Sequence, residues 1–148
     1  MERSFKKEVQ SLRLGDGDTF HGEGILAVTK ALLQSGVSYV GGYQGAPSSH
    51  LMDVLADAQG ILDELGVHLE TCANEAGAAA MLGASINYPL RGAVTWKATV
   101  GTNVASDALS NLASAGVKGG ALIVVGEDYG EGASIIQERS HAFAMKSQ

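Results

Sequence analysis

The chain has one cysteine, Cys72, and a single thiol can neither close an internal disulfide nor hold an iron–sulfur cluster. Aromatic residues make up only 5%, too few for base-stacking platforms, and the net charge of −6 repels phosphate backbones and anionic membranes. No apolar run approaches the roughly 20 residues that cross a bilayer. The start, Met1-Glu2-Arg3-Ser4-Phe5-Lys6-Lys7-Glu8, has no apolar stretch of the secretory-signal kind. Two prolines against 20 glycines point to many tight strand–helix turns rather than to disorder. What is present is 45% hydrophobic content in 148 residues, enough for one domain with a core. Together these features read as a soluble α/β domain of a reducing compartment, expected in the cytoplasm.

Residues 1–21 are polar and mixed in charge and read as an N-terminal arm, with residues 22–148 as one domain. Over residues 22–35, Ile25, Leu26, Val28, Ala31, Leu32 and Leu33 recur at helical spacing, and Gly36 stops the helix. Val37-Ser38-Tyr39-Val40 predicts a strand, residues 50–65 a helix ended by Gly66, and Val67-His68-Leu69 a second strand. An alanine-rich helix follows, then a strand at Ala93-Val94-Thr95-Trp96. Residues 104–115 predict a further helix ended by Gly116. Ala121-Leu122-Ile123-Val124-Val125 is the fourth strand, a continuous apolar run of the kind buried on both faces of a parallel sheet. Strand and helix alternate, which implies right-handed crossovers and a parallel sheet with helices on both faces. Residues 134–146 also have a helical pattern. Four strands are few for this architecture. The domain is therefore expected to continue past Gln148, or to have its sheet edge covered by another chain.

Chemistry-bearing residues gather where these strands end, which is where open parallel sheets place ligands. Glu70-Thr71-Cys72-Ala73-Asn74-Glu75 leads from the second strand into the small-residue helix Ala76-Gly77-Ala78-Ala79-Ala80-Met81-Leu82-Gly83. Such a helix packs closely against a sheet, another helix or a ligand, and Glu75 stands at its mouth. Gly41-Gly42-Tyr43-Gln44-Gly45-Ala46-Pro47-Ser48-Ser49-His50 has glycines for close backbone approach and a helix start suited to an anion; an ordinary βα loop is the alternative. In Trp96-Lys97-Ala98-Thr99-Val100-Gly101-Thr102-Asn103, Lys97 suits a substrate carboxylate or plain solvation, and Asn103 a helix cap or a ligand contact. Gly126-Glu127-Asp128-Tyr129-Gly130-Glu131-Gly132 reads as an exposed charged loop rather than a cation site. Gly15-Asp16-Gly17-Asp18 lacks the preceding buried strand and later asparagine of a diphosphate-bound Mg²⁺ site, and reads as a surface turn. Gly22-Glu23-Gly24 lacks the strand and third glycine of a dinucleotide fingerprint. Cys72, with no evident base partner, reads as a small packed residue, and no metal site is expected in this chain.

In this order the segments resemble the 2-oxoacid:ferredoxin oxidoreductases. Tyr43-Gln44-Gly45-Ala46-Pro47-Ser48-Ser49 resembles that family's Tyr-Pro-Gly-Thr-Pro-Ser-Ser loop, and Asn74-Glu75 with Ala76-Gly77-Ala78-Ala79 resembles its glutamate-bearing segment. Lys97-Ala98-Thr99-Val100-Gly101-Thr102-Asn103-Val104-Ala105-Ser106-Asp107 and Gly119-Gly120-Ala121-Leu122-Ile123-Val124-Val125-Gly126-Glu127-Asp128 complete the set. The nearest likeness is the pyrimidine-binding domain of the thiamine-dependent (alpha) subunit of the indolepyruvate type, over residues 22–146.

The resemblance implies thiamine diphosphate shared with a diphosphate-binding domain or subunit of the same enzyme, which would also hold Mg²⁺. It implies that Glu75 hydrogen-bonds the pyrimidine N1′, favouring the imino tautomer whose exocyclic nitrogen takes the thiazolium C2 proton. Gly45, Ala46 and Pro47 would shape the pocket beside thiazolium and substrate, and Gly101 and Asn103 the neighbouring wall, with Ser48 and Lys97 toward substrate. The implied reaction is oxidative decarboxylation of an aryl or related 2-oxo acid to an acyl-CoA, with electrons passed to ferredoxin. CoA, ferredoxin and the iron–sulfur clusters would be engaged through other parts of a homo- or hetero-oligomer. Ala46 departs from the family's substrate-holding threonine, which puts the usual 2-oxo acid contact in question. Two alternatives stay open: a non-redox thiamine diphosphate enzyme such as a 2-oxo acid decarboxylase, and a non-catalytic α/β binding module. A second oxidoreductase subunit encoded alongside would exclude the first, and partner-dependent binding of thiamine diphosphate would exclude the second.

Overall fold

The computed structural model describes residues 3–98 and 100–127. The expected helix at residues 134–146, and Asp128 and Glu131 of the acidic loop, lie outside them. A 3₁₀ turn at Glu8–Arg13 precedes α1 (Gly24–Gln34), β1 (Tyr39–Gly42), α2 (Ser49–Asp57), α3 (Gln59–Leu65), β2 (His68–Thr71) and α4 (Glu75–Met81). There follow α5 (Ala84–Asn87), β3 (Arg91–Lys97), α6 (Val100–Val104), α7 (Ser106–Ala115) and β4 (Gly120–Gly126). The strands form one four-stranded, all-parallel sheet in the order β2-β1-β3-β4. This is the α/β fold that the alternating strand and helix patterns predict.

Side chains alternate across the sheet with the pleat's period of two. Tyr39, Val94 and Trp96 pack with Ala78, Ala79 and Leu82 on one side. Val40 and Ala93 pack with Leu51, Met52, Leu55 and Leu62 on the other. Helices therefore cover both faces. Beyond α2 lies a further apolar cluster, in which Phe5, Val9 and Leu12 meet Leu26, Val54 and Ile61. The N-terminal arm is thus docked: its apolar residues recur at i, i+4 and i+7, a helical stripe hidden among charges. Lys30 secures it by donating through Nζ to the carbonyls of Leu12 and Leu14.

The structure departs from the sequence pattern in three places. The helix expected over residues 50–65 is divided at Ala58, whose carbonyl accepts from both Ile61 and Leu62 and so starts a new helix. Gly60, a weak helix former, follows the break. Gly66 then ends α3 in the left-handed region (φ +67°), as its position after Leu65 predicts. Likewise, the helix expected from residue 104 begins earlier, as α6, and restarts as α7 after Ala105. Finally, the strand with five consecutive buried residues is β3, not β4. Among the described residues β4 has a strand neighbour only on the β3 side, and Leu122 is 49% exposed despite the apolar run.

The order β2-β1-β3-β4 also fixes where a crevice forms. From β1 the chain crosses to β2 on one side, and from β3 to β4 on the other. The loops after β1 and β3 therefore diverge between adjacent strands, the topological switch point at which open α/β sheets bind ligands.

Candidate functional site

At the carboxyl end of β2 the Cys72 amide donates to the Gly42 carbonyl (2.9 Å), tying the turn to β1. Asn74 then caps α4, its Oδ1 accepting from the Gly77 amide at 2.8 Å. That cap makes Glu75 the first residue of α4 and directs it inward, where it is only 7% exposed. Among the described residues its carboxylate has no hydrogen-bonding or ionic partner, and its oxygens keep solvent contact. The side chain is thus packed away up to its oxygens, which face outward at the sheet's carboxyl edge with acceptor capacity unused by the described residues.

Glycine at position 101 is required by what surrounds it. A Cβ there would lie 3.0 Å from Glu75 Cγ and 2.5 Å from Trp96 Cδ1. Trp96 is fully buried at the end of β3, and its Nε1 donates to Thr102 Oγ1 at 3.2 Å. The β1 loop closes onto the same strand. The Tyr43 amide donates to the Thr95 carbonyl (3.0 Å), and a Cβ at Gly45 would meet Lys97 Cβ at 2.8 Å. Ser48, 7% exposed, directs its hydroxyl toward the carbonyls of Gly45 (3.2 Å) and Trp96 (3.1 Å). From β4, Gly126 approaches Ser48 so closely that a Cβ would lie 2.8 Å from Ser48 Cβ, and its carbonyl accepts from the Ala98 amide. The Ala46–Pro47 peptide bond is cis.

Two groups of sequence-predicted residues are thereby assembled. Glu75 meets Gly101, Gly45 meets the half-buried Lys97, and Pro47 and Ser48 meet Gly126, with Ala46 in the same loop. Trp96 joins the groups, its ring under Gly101 and its carbonyl facing Ser48. Asn103 stands apart: it is exposed on α6, and it does not cap α7, whose N-cap is Ala105. Trp96, Thr102 and Gly126 were not singled out by the motifs; a lone tryptophan ending a strand was the available signal. Cys72 is half-buried beside the site. Burial, then the Glu70 charge, pushes its thiol above the ordinary value, which keeps it neutral and weakly nucleophilic. Among the described residues no three His, Cys, Asp or Glu side chains are grouped to hold a metal, and no helix is long and apolar enough to cross a membrane.

No family model matches the chain. It is similar to curated archaeal proteins named indolepyruvate oxidoreductase subunit IorA. The Methanothermobacter thermautotrophicus protein is 32% identical over 117 residues, 79% of this chain and 18% of that protein. The Archaeoglobus fulgidus protein is 35% identical over 104 residues, covering 69% of this chain and 16% of the relative. The Thermococcus kodakarensis protein is 33% identical over 102 residues, 69% and 15% respectively. The chain thus spans less than a fifth of the relatives it matches. A four-stranded parallel α/β fold and repeated similarity to these subunits agree, and over the matched residues the chain belongs to the family of the indolepyruvate oxidoreductase subunit IorA.

Proposed function

We propose that this chain is the pyrimidine-binding part of a thiamine-diphosphate-dependent 2-oxoacid oxidoreductase of the indolepyruvate type, working with a diphosphate-binding partner. The observation that carries the reading is Glu75: a residue only 7% exposed whose carboxylate oxygens reach solvent and have no partner among the described residues, at the sheet's carboxyl edge. The donor set fits an aminopyrimidine. The carboxylate accepts a hydrogen bond, and the missing side chain at Gly101 lets the α6 backbone pack close against Glu75 and Trp96.

Bound thiamine diphosphate supplies the electron sink for decarboxylation of a 2-oxo acid. This chain's share is placement and one proton site. Glu75 would hold the proton at pyrimidine N1′ through Oε, at a fixed position because the Asn74 cap sets the start of α4. The Gly45-Ala46-Pro47 backbone and Gly101 would form the walls, while Asn103 is left to the rim by its exposure. Lys97 would face a substrate carboxylate. Ser48 already directs its proton to backbone carbonyls, so a substrate would meet its lone pairs. Oxidative decarboxylation to an acyl-CoA, with electrons leaving to ferredoxin, would require CoA and iron–sulfur sites carried by other domains or subunits.

The test is Glu75→Gln in the assembled enzyme, with hydrogen–deuterium exchange at the thiazolium C2 of bound cofactor followed by NMR. A fall of about 100-fold or more is expected, the usual contribution of a positioned acid or base. Exchange at the wild-type rate, with cofactor still bound, overturns the assignment.

A further inference from the structure

Asp53 lies on α2 and is 1% exposed, yet no step of the proposed chemistry uses it. A buried carboxylate is retained only where polar partners meet it. Its Oδ2 accepts from the backbone amide of Arg3 at 3.1 Å, and its Oδ1 faces Nε2 of Gln44 at 3.5 Å, the outer limit of a hydrogen bond. Gln44 belongs to the β1 loop that closes over Lys97. One carboxylate thus touches both the docked arm and the candidate-site loop.

The arm is registered on α2 by a match of spacings. Arg3 and Phe5 present amides two residues apart, roughly 6.6 Å in extended chain, to Asp53 and Asp57, one helical turn or about 6 Å apart. Phe5 is fully buried and sets its ring edge-on to His50, with centroids 5.8 Å apart. The Arg3 guanidinium lies 4.5 Å above the Phe5 ring and pairs with Glu23, just before α1. Between these contacts α2 is buried on nearly all sides, Val54 toward the arm and Leu51, Met52 and Leu55 toward the sheet. It is a rigid base for anything fastened to it.

We propose that Asp53 is a positioning residue, whose two oxygens fasten the N-terminal arm and Gln44 to α2, so that docking of the arm steadies the β1 loop over β3. The consequence for catalysis rests on the proposed function, because that reading makes the loop a cofactor wall. The fastening itself does not.

The experiment is hydrogen exchange of the intact chain, read by mass spectrometry over residues 43–48. Two of these amides are bonded, Tyr43 to Thr95 and Ser48 to Gly45. Asp53→Ala removes both acceptor oxygens, so exchange in this stretch should quicken about two- to threefold, the lower end of a hydrogen bond's net contribution. Asp53→Asn should stay near wild type, because its carboxamide can accept from the Arg3 amide and donate to a turned-over Gln44 carboxamide. Unchanged exchange in Asp53→Ala, equal acceleration in Asp53→Asn, or equal acceleration throughout α2 and β1 overturns the proposal. Should Asp53→Ala not fold, Gln44→Ala is decisive alone: faster exchange over residues 43–48 with residues 3–5 unaltered supports the fastening, and no change refutes it. No cofactor is added, so the result stands apart from the C2-exchange test of Glu75.

Discussion

Glu75 and Gly101 behave as one unit, because the glycine's missing side chain lets α6 pack directly against Glu75 and Trp96. In Gly101→Ala the new Cβ would meet Trp96 at 2.5 Å and Glu75 at 3.0 Å. The tryptophan is fully buried and cannot retreat, so the variant should lose ~1–3 kcal/mol of stability by overpacking. Urea denaturation followed by the fluorescence of Trp96, the only tryptophan, measures this directly. Stability equal to wild type would mean that the space beside Glu75 is larger than these contacts indicate. Glu75 could be picked out from the sequence because an acid ending a strand and opening a small-residue helix has a restricted place in a parallel sheet. Trp96 and Thr102 could not, since both lie in the segment that follows the third strand but neither residue type there marks a role. Their role arises from a contact with Gly101 that exists only after β3 and α6 are folded together.

Among the elements, helix ends were more legible than helix continuity. Gly36 and Gly66 end α1 and α3 with φ of +76° and +67°, a conformation that glycine adopts without penalty. The breaks at Ala58 and Ala105 have no such marker, because alanine favours helix, and both residues are buried, at 1% and 0% exposed. The arm is the other element that was hard to read. Its charges dominate its composition, while three apolar side chains decide its position. Phe5→Ala should therefore cost ~3–5 kcal/mol, the penalty of emptying a fully buried aromatic site. Chemical denaturation checks it, and a loss below ~1 kcal/mol would show that the arm contributes little to the core.

At the scale of the whole molecule, two exposed ion pairs among the described residues join segments distant in sequence: Arg3 with Glu23, and Arg13 with Glu64. Hydrogen bonding to the arginines, ahead of their charge, lowers both carboxyl pKa values from the ordinary 4.5. Lowered folded-state values mean that this stabilisation is present above about pH 4.5 and lost as pH falls through the folded-state values. The melting temperature of Glu64→Gln should therefore lie slightly below wild type at pH 7 and converge with it in acid; a gap that widens below pH 4.5 would contradict the pairing. At this scale the division between sequence and tertiary structure is clear. Hydrophobic periodicity, glycine stops and alternating strand and helix patterns determined the α/β class and all four strands, since these are local consequences of 3.6- and 2-residue repeats. The order β2-β1-β3-β4, the central place of β3 and the exposed face of β4 were decided only by packing. An apolar run reads alike in the middle of a sheet and at its edge, because strand order depends on contacts between residues far apart in the chain. The same holds for the site. Sequence nominated its acid and its loops, and the fold brought Gly101 against Glu75 and Gly45 against Lys97, because only a closed sheet edge places those backbones within touching distance.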